Sequence, residues 1–293
     1  MPELPPAVTL EAGQGGLPVL RVDSPAARAE VYLQGAHITS WTPAEHPPVL
    51  WTSRSSRFEP GRAIRGGVPI CFPWFAEHPQ DADAPAHGFA RTTPWTLIAA
   101  QDDGASVELV LRLTDQDRPA DPRWPHRFEA RVTIQVGAAL SLRLDVTNRG
   151  HEPFDFEEAL HTYLAVPDVR EIEVTGLHGA PYVDRSIDEQ TRTDDAPSIR
   201  LRDETDRLYP STRATAVVHE PGGRTLRVSK TGSEATVVWN PWVTKAGRLP
   251  DMGDHEWTEF VCVETCNVRA AGVRLAPGAT HSMTATIETT DAG

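Results

Sequence analysis

The strictest constraint on the fold is a set of three segments in which apolar residues occupy every second position. Their apolar residues are Val107, Leu109, Leu111 and Leu113; Phe128, Ala130, Val132, Ile134 and Val136; and Leu140, Leu142, Leu144 and Val146. Period-two alternation is typical of a β-strand with one buried face. The turn between the last two segments is short and contains Gly137, as a hairpin favours. The sequence therefore predicts an antiparallel sheet that is covered on one side.

The rest of the chain continues the strand pattern. Further predicted strands are 29–33, 48–51, 171–175, 214–219, 224–229, 235–239, 258–264 and 282–288. All of the 26 prolines except Pro48 fall between the runs, and no sustained apolar stripe at helical spacing occurs, so long helices are not expected. Many short strands joined by Pro/Gly-rich turns predict an all-β fold. We expect one large antiparallel β-sandwich over 1–293, with 1–20 and 289–293 as peripheral termini and the polar segment 184–205 as a long surface excursion.

Charge and cysteine content limit the function classes. The chain has 28 Lys+Arg against 41 Asp+Glu, a net charge of −13, which argues against nucleic acid or an anionic membrane as a partner. No basic, apolar signal segment and no apolar run of about 20 residues is present, so we expect a cytoplasmic protein. A monomer is a separate expectation, which these features do not address. The odd number of cysteines fits a reducing compartment without disulfides, and Cys262 and Cys266 lack the second pair that a zinc site needs.

The segment 51–95 breaks the strand pattern and is rich in arginine and aromatic residues. It contains Arg54, Arg57, Arg62, Arg65 and Arg91 together with Trp51, Trp74, Trp95, Phe72, Phe75 and Phe89. A locally positive loop walled by aromatic rings suits a small anionic ligand, although each arginine could equally be solvated or paired with a nearby acid. Gly66 and Gly67, directly after Arg65, permit close approach of the backbone or a tight turn. The phosphate-loop motif G-x-x-x-x-G-K-[ST] is absent.

Two other residues are unusual in their context. His161 lies in the apolar run of EEALHTYLAVPDV, and Glu264 ends the strand pattern of TEFVCVETCNV. A lone histidine is often a core residue and a lone glutamate at a strand end is often exposed. Together they permit a sharper hypothesis, in which a histidine and a carboxylate face each other as an acid/base pair.

Six motifs in order carry a family resemblance. They are RAIRGGVPICFPWF, PAHGFART, ALHTYLAVPDV with VTGLHGAPYVD, ETDRLY, VVWNPW, and DHEWTEFVCVE with a downstream PG. With this set the chain resembles the glucose-6-phosphate 1-epimerases, a branch of the aldose 1-epimerase (galactose mutarotase-like) superfamily. The resemblance covers about residues 48–278. It implies a large antiparallel β-sandwich that interconverts the α and β anomers of a hexose 6-phosphate, glucose 6-phosphate foremost, without metal or organic cofactor.

The resemblance also assigns roles to single residues. His161, in L-H-T-Y, corresponds to the family's acid and Glu264, in C-V-E, to its base. Arg65 and Arg91 are placed at the phosphate, with Arg62 as a weaker third candidate. The remaining assignments are His87 near the ring oxygen, Asp206 as an acceptor for sugar hydroxyls, and Trp239 or Trp242 as an apolar face, unless these tryptophans are core residues. Some members carry glutamine before H-G-[FL]-A-R, where this chain has Ala86.

Three alternatives remain open. The same fold could act on unphosphorylated hexoses as an aldose 1-epimerase, and Arg65 and Arg91 are the residues that decide this point. It could also be a carbohydrate-binding protein without catalysis, since a fold does not imply a function. A metal site built from His87, His161 and Glu264 is a third alternative, but no H-E-x-x-H or similar ligand spacing supports it.

Overall fold

The computed structural model describes residues 2–291, and most of its regular structure is β-strand. The strands are β1 (Val8–Ala12), β2 (Pro18–Asp23), β3 (Ala27–Tyr32), β4 (His37–Pro43), β5 (Ile70–Cys71), β6 (Thr96–Asp102), β7 (Val107–Thr114), β8 (Phe128–Val136), β9 (Leu140–Asn148), β10 (Phe154–Phe156), β11 (Glu158–Leu160), β12 (Tyr163–Ala165), β13 (Glu173–Thr175), β14 (Pro181–Asp184), β15 (Gln190–Thr193), β16 (Thr205–Tyr209), β17 (Ala216–His219), β18 (Thr225–Thr231), β19 (Ala235–Asn240), β20 (Phe260–Asn267), β21 (Val273–Leu275) and β22 (Thr280–Thr290). Within the described residues, the one α-helix is α1 (Trp242–Ala246), and single 3-10 turns occupy Gln14–Gly16, Ala90–Thr92, Asp115–Asp117, Glu256–Glu259 and Arg269–Ala271.

Two eight-stranded antiparallel sheets dominate the architecture. The outer sheet has the strand order β13-β17-β18-β22-β9-β8-β7-β6. The inner sheet has the order β15-β14-β16-β19-β20-β11-β5, with β12 also paired to β20. Strands β1 to β4 form a four-stranded sheet, and β10 pairs with β21. One large cluster of buried apolar side chains runs through these sheets. The all-β antiparallel fold and the absence of long helices in the described part of the chain confirm the prediction.

The period-two segments are adjacent strands of the outer sheet. In β7, β8 and β9 every second residue is buried and the residues between are partly or fully exposed. The hairpin between β8 and β9 closes with Val136 opposite Leu140, around Gly137. The outer sheet therefore buries one face, as its alternating sequence requires.

The inner sheet is buried on both faces at its centre. Every residue of β19 and β20 is buried. Because side chains alternate between the two faces of a strand, Cys262 and Glu264 share one face of β20, while Val261 and Val263 share the other. A polar residue can thus lie deep in the molecule without interrupting the apolar layer behind it. Cys71, Cys262 and Cys266 are all buried and free.

The structure differs from the sequence-based expectations in three places. Residues 48–51 do not form a strand, and Leu50 makes a single isolated bridge to Leu164. The predicted peripheral termini are too broad, because Val19 and Leu20 are fully buried in β2 and Thr290, the last residue of β22, is still paired with β18. Residues 1, 292 and 293 lie outside the described residues.

The segment 184–205 is less of an excursion than predicted. It contains β15, which forms a hairpin with β14 at the edge of the inner sheet. Many of its residues are exposed, but Asp184, Leu201 and Thr205 are buried. The hairpin is tied to the sheet through the pairing of β14 with β16.

Candidate active site

His161 lies where two short strands of the inner sheet are interrupted. Strand β11 ends at Leu160 and β12 begins at Tyr163, and both pair with β20. The backbone amide of His161 donates to the carbonyl of Pro69 at 3.0 Å. The Tyr163 ring stacks on the imidazole with 4.8 Å between centroids and an 11° interplanar angle. The imidazole, only 8% exposed, is therefore held in one orientation.

Glu264 meets His161 from the neighbouring strand β20. Its side chain is 1% exposed, and its Oε1 lies 3.3 Å from His161 Nε2. Among the described residues, Glu264 Oε2 and His161 Nδ1 are buried without a hydrogen-bond partner. The two residues that the sequence predicts as an acid/base pair are thus in contact, and within residues 2–291 His161 is the one ion-pair partner of Glu264, while the charge of Arg185 acts on the carboxyl from nearby.

Burial disfavours the charged form of each member of this pair. It raises the pKa of Glu264 well above its ordinary value of 4.5, and the nearby Asp206 adds to the rise. Burial also lowers the pKa of His161 well below its ordinary value of 6.5, helped by the positive charges of Arg91 and Arg65. Between these two displaced pKa values the pair holds one proton, shared between a carboxyl and an imidazole.

His87 approaches the pair from the H-G-F-A-R loop. It has a φ of 64°, a left-handed conformation that non-glycine residues seldom adopt. Its ring lies edge-on to that of His161, with 5.6 Å between centroids. Burial lowers the pKa of His87 well below 6.5, and the amide of Ala76 donates to its Nδ1 at 3.3 Å. The neutral imidazole must therefore carry its proton on Nε2, which makes His87 a hydrogen-bond donor in the cleft.

Asp206 lies on β16, directly opposite Trp239 of β19. Burial raises the pKa of Asp206, and Arg185 Nη1 lies 3.8 Å from its Oδ1. The Trp239 ring stands edge-on to His161 at 5.8 Å. These residues line a cleft of about 400 Å³, which we call the dyad cleft; its wall consists of Arg65, Phe75, Ala76, Glu77, Ala86, His87, Arg91, His161, Arg185, Asp206, Val237, Trp239, Lys245, Leu249 and Glu264.

Arg65 is fixed by three polar contacts. Its Nε and Nη2 donate to the two carboxylate oxygens of Asp251, each at 3.2 Å, and its Nη1 donates to the Tyr163 hydroxyl at 3.1 Å. The following Gly67 has a φ of 60°, and a Cβ there would lie 2.1 Å from the carbonyl oxygen of Ile38. Glycine is thus required for close backbone packing that sets the position of Arg65.

Arg91 has unused hydrogen-bonding capacity. Its Nη2 donates to the carbonyl of Ala86 at 2.7 Å, while its Nε is buried without a partner among the described residues. Burial lowers the pKa of Arg91, and the neighbouring charge of Arg65 acts in the same direction. Two guanidinium groups therefore lie close together, and within residues 2–291 only Arg65 has a carboxylate partner.

Arg62 lies further out. It is exposed and pairs with Glu59 at 2.8 Å. Arg54 likewise pairs with Glu256 and Glu259, so for these two arginines the local-pairing alternative holds. Arg62 still lines a second cleft of about 310 Å³, which we call the arginine cleft; its wall consists of Arg57, Gly61, Arg62, Ala63, Ile64, Arg65, Pro69, Pro85, Ala86, Arg91, Thr92, Tyr163, Pro250 and Asp251.

The two clefts are adjacent. Arg65, Ala86 and Arg91 belong to the walls of both. An elongated ligand can therefore place an anionic group against the arginines and its other end against His161 and Glu264.

The structure adds three polar residues to the predicted set. Tyr163 and Asp251 hold Arg65, and Arg185 lies beside Asp206. Tyr163 stands in the quoted L-H-T-Y motif and Asp251 in an acidic stretch, so sequence features indicated both residues weakly. No sequence feature singles out Arg185, because it lies in the polar segment 184–205. Trp242 does not line either cleft and instead packs against Trp257 at 4.5 Å.

Residues 2–291 contain neither a cluster of metal-ligating side chains nor a helix that could span a membrane. No group of three His, Cys, Asp or Glu side chains is arranged as metal ligands would be, and His87, His161 and Glu264 form no such group. No helix in this range has the length and apolar character needed to cross a bilayer.

Comparison with known proteins identifies the family. The description of the aldose 1-epimerase family matches residues 18–288. A protein of Escherichia coli K12 described as "Putative glucose-6-phosphate 1-epimerase" is 38% identical over 252 residues, which cover 85% of this chain and 83% of that protein. A Cenchrus ciliaris protein of the same description is 34% identical over 262 residues, 85% of this chain and 78% of that protein. The crystal structure of a mutarotase from Salmonella typhimurium, labelled putative in its description, superposes with a TM-score of 0.91 at 32% identity, covering all of this chain and 96% of that one. The chain therefore belongs to the aldose 1-epimerase family.

Proposed function

We propose that the protein interconverts the α and β anomers of a hexose 6-phosphate, with glucose 6-phosphate as the expected substrate. The observation that carries this proposal is the junction of the two clefts: the His161–Glu264 pair lies in one, and Arg65 and Arg91 line both. The names of the relatives agree with a phosphorylated sugar as the ligand.

In the proposed reaction, Glu264 as carboxylate removes the proton of the C1 hydroxyl, and His161 as imidazolium protonates the ring oxygen. The C1–O5 bond then breaks to give the aldehyde. Rotation about C1–C2 presents the other face of the carbonyl, and the ring closes with the two residues in exchanged roles. Because the C1 hydroxyl and the ring oxygen are bonded to the same carbon, an acid and a base only 3.3 Å apart are suitably placed to serve both. Each proton transfer of this kind is worth about 10²- to 10⁴-fold in rate.

The proton count of the His161–Glu264 pair fits this cycle. A neutral Glu264 beside a neutral His161 holds the same single proton as the carboxylate–imidazolium form. The neutral form is also the state that ring opening leaves, ready to run the reaction backwards. Ring opening and closure break and re-form the C1–O5 bond without net gain or loss of a proton, so one proton kept within the pair is sufficient for both directions.

The remaining assignments concern binding. Arg65 and Arg91 provide forked donors for phosphate oxygens, and Arg62 adds positive charge at the outer rim of the arginine cleft. His87 donates from Nε2 toward the ring oxygen region, and Asp206 accepts from sugar hydroxyls. Trp239 offers an apolar face at the side of the dyad cleft. Ala86 leaves open the junction of the clefts where some relatives carry a larger side chain.

The direct test starts from pure α-glucose 6-phosphate. We expect added protein to accelerate the appearance of the β anomer above the spontaneous rate, measured by a coupled assay with the blank subtracted. Glucose at the same concentration should react with a lower kcat/KM, because it lacks the group that the arginines bind. Equal kcat/KM for the two sugars would favour the unphosphorylated aldose 1-epimerase, and binding without any acceleration would favour a non-catalytic carbohydrate-binding protein.

The pH profile of kcat/KM is expected to be bell-shaped. As pH rises through the lowered pKa of His161, the pair loses its second proton and becomes active, so this limb lies below 6.5. As pH rises through the raised pKa of Glu264, the last proton leaves and no acid remains, so the descending limb lies above 4.5. Anomer exchange measured by NMR between about pH 4 and pH 10 checks this.

Glucose is the control for this profile, because the substrate phosphate itself titrates near pH ~6. A limb seen with both sugars belongs to the protein, whereas a limb seen only with the phosphate ester belongs to the substrate. A rate that does not change with pH for either sugar would contradict the proposed acid/base pair.

A further inference from the structure

Arg185 is a charged residue of the dyad cleft that has no role in the mechanism so far. It follows β14, in the segment 184–205, and its backbone amide donates to the carbonyl of Asp206 at 2.8 Å. Its side chain is 19% exposed and lines the dyad cleft but not the arginine cleft. The β14–β15 hairpin therefore delivers a mostly buried guanidinium to the wall of the site.

Within residues 2–291, the N–H donors of this guanidinium have no strong hydrogen-bond partner. Among the described residues, Asp206 is its one carboxylate partner, and the 3.8 Å separation is too long for a strong hydrogen bond. The guanidinium carbon lies 5.6 Å from the centroid of the Phe75 ring. Guanidinium carries five N–H donors, and none of those of Arg185 is among the buried side-chain atoms without a partner, so they are accessible from the dyad cleft. A ligand in the dyad cleft would supply the missing acceptors.

The position of Arg185 in the dyad cleft determines which part of a bound sugar it can contact. In a hexopyranose 6-phosphate, C1 and the C5 that bears the phosphorylated arm both adjoin the ring oxygen. With C1 at His161 and Glu264, and the phosphate at Arg65 and Arg91, the edge from C2 to C4 faces the rest of the dyad cleft. Arg185 and Asp206 form a donor and acceptor pair there, suited to vicinal hydroxyl groups.

We infer that Arg185 is a substrate-binding residue that, with Asp206, binds hydroxyl groups on the C2–C4 edge and so determines which hexose 6-phosphate is preferred. This inference rests on the proposed function. It assigns a role to the one polar segment that carries no family motif. The guanidinium donates to a sugar hydroxyl, and the Asp206 carboxylate accepts from the same hydroxyl or its neighbour.

The test compares glucose 6-phosphate with its 2-deoxy, 3-deoxy and 4-deoxy analogues, using NMR exchange rates. For the wild type, we expect removal of the bound hydroxyl to lower kcat/KM by about 10-fold, as for loss of a hydrogen bond to a charged group. Arg185→Gln should lower kcat/KM for glucose 6-phosphate by about the same factor and leave that one deoxy analogue nearly unchanged. Arg185→Lys retains the charge near Glu264 but not the fork, so it should keep the wild-type pH profile while losing the discrimination.

Arg192→Gln is the matched control, because Arg192 lies in the same hairpin and pairs with Asp188 at the surface, outside both clefts. Its kinetics should equal those of the wild type. If Arg185→Gln slows all analogues equally, changes none of them, or instead alters the ratio of glucose 6-phosphate to glucose, the assignment of Arg185 is overturned. Failure of the wild type to exchange the anomers of any hexose phosphate would overturn the proposed function itself, which separates the two outcomes.

Discussion

Glu264→Gln is expected to lower the enzyme-dependent rate of anomer exchange by about 10²- to 10⁴-fold, the usual value of one general acid/base transfer. Glutamine has nearly the same shape as glutamate, so the packing of β20 should persist. It cannot accept the proton of the C1 hydroxyl, however, and the pair with His161 loses its exchangeable proton. Two-dimensional exchange NMR at anomeric equilibrium measures the rate directly, with the spontaneous rate subtracted. An unchanged rate would contradict the assignment of Glu264 as the base.

The chain offers a closely matched control. Glu158 is also fully buried in the inner sheet and lies beside a histidine, with 2.9 Å between its Oε1 and His281 Nε2. It lines neither cleft. Glu158→Gln should therefore retain wild-type kcat, provided that its melting temperature shows a folded protein. Loss of exchange in both variants would point to a general effect of altering a buried glutamate and not to chemistry at Glu264.

His161→Asn provides a second view of the same pair. Residues that act as one unit are far from additive, so the double variant with Glu264→Gln should be hardly slower than the worse single variant. Comparing the two single variants with the double variant distinguishes a catalytic pair from two independent structural contacts. For independent contacts, the fold-losses in rate of the two single variants would multiply in the double variant.

The outer sheet and the candidate pair of His161 and Glu264 could both be predicted from the sequence, but for different reasons. Strands β7 to β9 bury one face, so their period-two pattern is explicit. His161 and Glu264 are conspicuous because they are ionisable groups within apolar runs. Strand β20 is buried on both faces, and there the alternation that reveals β7 disappears. That Glu264 faces His161 was a hypothesis from their residue types, which the motifs strengthened, and the 3.3 Å contact depends on strand pairing that no local pattern reports.

Other features could not be predicted because they depend on contacts between distant segments. Residues 48–51 look like a strand, but Pro47 and Pro48 remove two backbone donors at its start, and the segment pairs with β12 through the single bridge of Leu50 to Leu164. Arg185 looks like one charge among many in 184–205, and its burial depends on the pairing of β14 with β16. The arginines of 51–95 divide into paired and free groups only in three dimensions, since Arg54 meets acids some 200 residues later in the chain.

The neutral burial of Glu264 and His161 has a consequence for stability. A buried carboxyl and imidazole, each with one atom lacking a hydrogen bond, disfavour the folded state relative to apolar residues of similar size. In the proposed mechanism this cost in stability accompanies proton transfer, in the manner expected of active sites that sacrifice stability for function. The fully buried strands β19 and β20 at the centre of the inner sheet supply the rigid support that keeps the two groups in contact.

Arg91→Gln is expected to lower kcat/KM for glucose 6-phosphate by about 100-fold while leaving kcat/KM for glucose nearly unchanged. A phosphate monoester carries about −1.5 to −2 charges near neutral pH, and hydrogen bonds to charged groups contribute up to about 3 kcal/mol each. Arg91 is a better residue to substitute in this test than Arg65, because Arg65 also binds Asp251 and Tyr163 and its loss would disturb both. Initial rates of anomer exchange with both sugars, at fixed ionic strength, give the two values.

Arg54→Gln is the control for this experiment, since Arg54 belongs to the same arginine-rich segment but pairs with Glu256 and Glu259 outside both clefts. It should leave the preference for the phosphorylated sugar intact. The unpaired Nε of Arg91 gives the physical reason for the contrast: a buried guanidinium with a free donor gains most when an anion arrives, whereas one already bonded to two carboxylates gains little. Equal losses for glucose and glucose 6-phosphate in Arg91→Gln would show that Arg91 shapes the cleft without binding the phosphate, and the phosphate would then have to be held by Arg65 and Arg62 alone.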